Sequence, residues 1–83
     1  MPGPEEARLG RLRWRCRRGM KELDLVLLRY LEHHYPAAPE RERGAFERIL
    51  DLQDPEVFGY LVGRDVPKDD ALRDVVARIR SDR

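Results

Sequence analysis

The chain has 83 residues, 40% of them charged, yet its net charge is only +1. That length supports one domain with a modest core, small enough to dock onto something larger. A single cysteine excludes an internal disulfide and a cysteine-rich metal site, and no apolar run approaches the ~20 residues of a membrane-spanning helix.

The first helical segment is predicted over about residues 5–17. Leu9, Leu12 and Cys16 form its apolar stripe, and Glu5 and Glu6 sit at its positive dipole end. Trp14 lies on roughly the opposite side, near Arg11 and Arg18, and is expected to find cover beneath another helix. The second segment, about 20–34, is apolar nearly all round through Leu23, Leu25, Val26, Leu27, Leu28, Tyr30 and Leu31, the pattern of a central helix. Pro36 ends it. A third helix is predicted over about 39–52, with Pro39 at the first helical position and Phe46, Ile49 and Leu50 buried.

The fourth segment starts with Asp54 as N-cap, Pro55 at the first position and Glu56 in the first turn. Val57, Phe58, Leu61 and Val62 give its apolar face, and Gly63 its stop. The fifth begins near Asp69 and turns Leu72, Val75, Val76 and Ile79 inward. The expected fold is all-α: a small single-domain bundle of about five helices spanning 1–83, with its core over about 6–80 and short loops favouring antiparallel neighbours.

Charge is unevenly spread. Residues 1–22 carry seven basic and three acidic groups, a net of +4; residues 23–83 carry ten and thirteen, a net of −3. Six arginines fall between positions 8 and 18. Such a cluster either binds phosphates and carboxylates or forms a solvated helix face.

Catalytic chemistry is sparse. There is no threonine, no asparagine and one serine, Ser81, near the C-terminal end. Cys16, on an apolar stripe, reads as core rather than nucleophile. His33 and His34 are adjacent, so on a helix they point about 100° apart and do not share a metal. Neither a metal site nor autonomous catalysis is expected. The opening Met-Pro-Gly-Pro-Glu-Glu lacks the basic and apolar regions of a signal peptide, so a cytoplasmic protein is expected.

The most informative string is Arg17-Arg18-Gly19-Met20-Lys21-Glu22-Leu23-Asp24. It sets a glycine among charges where a continuous helix is expected, at a cost of about 1 kcal/mol relative to alanine. In the plainer reading Arg18 and Glu22, four apart, form a solvated pair worth about 0.2–0.5 kcal/mol beside a helix junction. In the functional reading Gly19 is a gap through which a partner approaches. Arg18 then offers its fork of donors, and Glu22 orients it or touches the partner. The residues alone leave both readings open.

The stretch from Trp14 through Arg17, Arg18, Gly19, Met20, Lys21, Glu22, Leu23 and Asp24 resembles the signature of the SdhE family, the FAD assembly factors of succinate dehydrogenase. The likeness continues through Leu31-Glu32-His33, Phe46 to Leu50, and Asp54-Pro55-Glu56-Val57-Phe58-Gly59-Tyr60-Leu61, covering about residues 8–79. It implies a five-helix assembly factor, not itself an enzyme. Such a factor binds the flavoprotein subunit of succinate dehydrogenase, and that of the related fumarate reductase. It promotes covalent attachment of FAD, through its 8α-methyl carbon, to a client histidine in a reaction largely self-catalysed by the client. Arg18, Gly19 and Glu22 carry the partner-binding motif by this resemblance, with Trp14, Arg17 and Asp24 flanking it. FAD belongs to the client, no cofactor is held stably by the chain itself, and the free factor is expected to be a monomer. Ala37-Ala38-Pro39-Glu40 departs from the family pattern in lacking a polar helix cap, and the C-terminal tail is short.

Two other functions compete. One is an antitoxin-like partner of a small toxin, although such proteins often carry a disordered tail. The other is nucleic-acid binding through the arginine cluster, which needs several phosphate contacts. The acidic remainder of the chain speaks against the latter, and neither nucleic acid nor membrane is expected as a partner.

Overall fold

The computed structural model describes residues 3–81. Five helices carry them: α1 (Pro4–Arg15), α2 (Lys21–His33), α3 (Glu40–Leu50), α4 (Asp54–Leu61) and α5 (Asp70–Ser81). One 3-10 turn, Tyr35–Ala37, links α2 to α3. No strand occurs among the described residues, and the expected all-α class holds. The first two residues of the opening string and the last two of the C-terminal tail lie outside the described residues.

The apolar stripes bury as their spacing requires. Leu12 and Cys16 of the first segment meet Leu23, Leu27, Tyr30 and Leu31 of α2. Phe46 and Ile49 of α3, Val57 of α4, and Val75, Val76 and Ile79 of α5 complete one core. Tyr30 and Tyr35 flank the Phe46 ring at centroid distances of 4.6 and 5.8 Å. α5 is the shared neighbour, packing on α2, α3 and α4. Two stripe members stay out. Leu25 is 51% exposed and Val62 49% exposed, because α2 has one side without a covering helix and Val62 sits at the very end of α4.

Ion pairs add a second layer. Glu5 pairs with Arg43, Arg8 with Glu47 and Arg15 with Asp51. The partners ascend together, so α1 runs parallel to α3, an arrangement that short loops do not foretell. Arg43 also donates to the carbonyls of Tyr35 at 3.0 Å and Pro36 at 2.6 Å, satisfying the 3-10 turn. Burial pushes the Glu47 carboxyl up, but hydrogen bonds from Arg8 and Tyr35 outweigh it and hold the group below the usual carboxylate range.

Two helix ends differ from the sequence reading. Pro39 is the extended residue before α3 rather than its first helical residue, at φ −67° and ψ 160°. Asp54 is the first residue of α4 and not its cap, since Gln53 holds the cap position and makes no side-chain cap bond. The Asp54 carboxylate is drawn instead to Arg18. Asp69 does cap α5, its carboxylate accepting from the Leu72 N–H at 3.0 Å. Gly63 stops α4 as expected. It sits at φ +82°, its N–H bonding to Tyr60 O and that of Arg64 to Gly59 O, the paired bonds of a Schellman end.

Candidate functional site

α1 ends at Arg15 and α2 begins at Lys21, leaving residues 16–20 as a non-helical link. Gly19 lies in this link at φ +84°. The continuous helix expected there does not form, and the glycine is required by the backbone: side chains with a Cβ pay roughly 1–2 kcal/mol in left-handed geometry. No packed neighbour crowds it, for a Cβ at Gly19 meets nothing within 4 Å. The outer side of the link is therefore open.

Arg18 does not pair with Glu22. Its guanidinium turns inward to the α3–α4 junction, and its side chain is only 10% exposed. Nη1 donates to Leu52 O at 2.7 Å and to the Asp54 carboxylate at 2.8 Å, while Nη2 donates to Leu50 O. Those carbonyls stand at or just past the α3 C-terminus, where no further helical N–H can meet them. A cation there also complements the helix dipole. The Arg18 backbone N–H donates to the Asp24 carboxylate at 2.7 Å, which ties the link to the first turn of α2. Arg18 and Asp24 thus fix the link from beneath. The fork that sequence reasoning offered to a partner is already occupied.

Trp14 corrects the expectation of cover: it is 71% exposed. The buried stripe of α1 faces the other way, and no helix packs over the Trp14 side. The Arg17 guanidinium lies 5.6 Å from its ring centroid. Trp14, Arg17, Gly19, Met20, Lys21 and Glu22 are all exposed. Between α1 and α2 the link borders a depression lined by Cys16, Leu25 and Leu28, with Arg13, Arg17 and Lys21 also at its wall. Cys16 is buried, and desolvation pushes its thiol up to about 11, with nearby Arg18 opposing. That thiol is inert packing. Among the described residues, no group of three or more His, Cys, Asp and Glu side chains is placed to hold a metal ion.

Residues 10–83 match the sequence model of the Sdh5 family, described as the flavinator of succinate dehydrogenase. The chain belongs to this family. The Sdh5-family match is accompanied by several proteins named FAD assembly factor SdhE. That of Methylococcus capsulatus is 50% identical over 72 residues, 87% of this chain and 87% of the relative. That of Xylella fastidiosa strain 9a5c is 44% identical over 77 residues, 93% and 79% of the two chains. The Pectobacterium atrosepticum protein is 37% identical over 71 residues, 86% and 81%.

Within this Sdh5-family chain, the link joins two groups of sequence-named residues with opposite fates. Arg18 and Asp24 face inward, while Trp14, Arg17, Gly19 and Glu22 face outward. Glu22 also borders a groove that the sequence reading did not find, formed with Phe58 from α4, Val62 just past its end and Arg80 from α5. Only the unspent apolar character of Leu25 and Val62 hinted at it, because the groove's walls come from distant parts of the chain.

Proposed function

We propose that this chain is an assembly factor that binds the flavoprotein subunit of succinate dehydrogenase and promotes covalent attachment of FAD to its histidine. The observation that carries the reading is the 16–20 link, hydrogen-bonded from below while its glycine and the side chains around it face outward. Family membership supplies the client. In this reading the factor contributes no reacting group. It holds the client so that histidine and flavin lie in attack geometry, and positioning of this kind can lower a barrier by several kcal/mol. FAD stays with the client, fumarate reductase is a second client, and the factor acts as a cytoplasmic monomer.

Arg18 takes a different role from the one first given to it: it shapes the contact surface rather than touching the client. Glu22, Gly19, Trp14 and Arg17 make the contact. Nucleic-acid binding loses its footing, because four of the six arginines between 8 and 18 are spent on Glu47, Glu32, Asp51 and Asp54. Among the described residues no helix is long and apolar enough to cross a membrane.

The test is covalent flavin fluorescence of the flavoprotein subunit on a denaturing gel, in a strain lacking its own factor. Complementation with the natural chain should restore the band. Gly19→Arg costs roughly 1–2 kcal/mol at its positive φ but points its side chain into open space. It should still accumulate as a folded protein, checked by its helical content, yet leave the subunit without covalent flavin. Restoration by both chains would remove the link from the contact surface, and restoration by neither, with soluble protein present, would remove the function.

A further inference from the structure

Beside the link, α2, α4 and α5 enclose a groove of about 290 Å³. Leu23, Val26, Phe58, Leu61 and Ile79 line it with apolar surface. Leu25 and Val62 stand at its margin, half exposed, so the apolar surface is open to solvent. Its charged residues are Glu22, Arg29 and Arg80. Glu22 and Arg29 are seven residues apart on α2, which places them on one face about 10 Å from each other. The groove therefore carries an acid and a base separated by apolar surface.

None of these three charges has an ion-pair partner among the described residues, as is also true of Arg11, Lys21 and Lys68. Among the described residues ten arginines pair with carboxylates: positions 8, 13, 15, 18, 41, 43, 48, 64, 73 and 78. Arg29 and Arg80 are not among them, nor is Arg17 at the neighbouring link. Unspent positive charge thus lies on either side of the Leu25 ridge, and Glu22 is shared between the motif and the groove. The surface that begins at Gly19 continues along α2 into the groove.

We propose that the groove receives a segment of the client flavoprotein that seats an apolar side chain on Val26 and Phe58, presents carboxylates to Arg29 and Arg80, and sets a basic residue against Glu22. This rests on the assembly-factor reading and extends its contact beyond the link. Apolar anchoring supplies affinity, while the charges fix direction and register.

Titration calorimetry of the purified full-length chain with the purified flavoprotein subunit tests it. Leu25→Glu and the double variant Arg29→Glu/Arg80→Glu are compared with the natural chain, each checked for native helical content. Both are expected to bind roughly tenfold or more weakly, and the double variant should lose much of the salt dependence of binding. Arg80→Glu alone, at an exposed position, should weaken binding in the same direction if the double variant does not fold. Unchanged affinity in folded Leu25→Glu and Arg80→Glu overturns the proposal while leaving the function intact. A natural chain that neither binds the subunit nor restores its flavin overturns both. Self-association of the natural chain that Leu25→Glu abolishes, with client affinity unchanged, assigns the groove to a second copy and likewise overturns the proposal.

Discussion

A guanidinium withdrawn from water needs its donors met, and Arg18 satisfies Nη1 and Nη2 with two carbonyls and one carboxylate supplied by residues 50–54, while its Nε stays buried without a partner. Removing it strands the carbonyls at the end of α3 and leaves the Asp54 carboxylate, 35% exposed, without its cation. Arg18→Ala is therefore expected to cost about 3 kcal/mol, and Asp54→Ala less, about 1–2 kcal/mol, because the two carbonyls still hold the arginine. Arg18→Lys should recover only part of the loss, since one ammonium does not reproduce a planar fork spanning three acceptors. Urea unfolding of the three variants checks this, and natural stability in Arg18→Ala would sink the clamp. The sequence singled out Arg18 but misjudged its direction. Its spacing of four from Glu22 described a helix face, but Gly19 interrupts the helix between them, and the nearest acceptors lie more than thirty positions away.

At the scale of elements, helix identity followed from period and punctuation, whereas helix pairing followed from side chains that periodicity ignores. α1 lies alongside α3 through Arg8, Arg15 and Arg43 and their carboxylates. Tyr35 adds to this seam by donating to Glu47 at 2.7 Å. Because the folded-state value of Glu47 is depressed, its contribution is present above the unfolded carboxylate value and is lost as pH falls through the folded one. Thermal unfolding between pH 7 and pH 3 should accordingly show the midpoint falling below about pH 4.3, the ordinary glutamate value. Glu47→Gln should start lower at pH 7 and fall less over that window. An acid dependence identical in both proteins would place the titrating group elsewhere. The ends of the helices show the same division. Gly63 was legible because only a left-handed residue makes that stop, while Asp54 looked like a cap until Arg18 claimed its carboxylate.

For the whole molecule, the core draws on every helix, so Cys16 is protected by the assembled bundle rather than by any local feature. With its thiol raised to about 11, alkylation at pH 8 in native buffer should be slower than for a free cysteine by on the order of a hundredfold. In denaturant it should become fast, with a midpoint that coincides with the loss of helix. Rapid native labelling would mean that α1 opens independently. The balance of charge is likewise a property of the assembled chain. The arginine-rich first quarter suggested a basic surface, but folding brings carboxylates from α2, α3 and the α3–α4 junction against it, leaving Arg17, Lys21, Arg29 and Arg80 as uncompensated cations near the link and groove. The sequence by itself determined the five helices, most of the buried stripes and the family. Those are set by local backbone preference, by the helical period and by a contiguous motif. Only the tertiary structure decided that Arg18 points in, that Trp14 points out, and that Glu22 opens onto a groove shared with α4 and α5. Each of those depends on which distant acceptor or apolar wall arrives at a given face, and no short-range pattern carries that information.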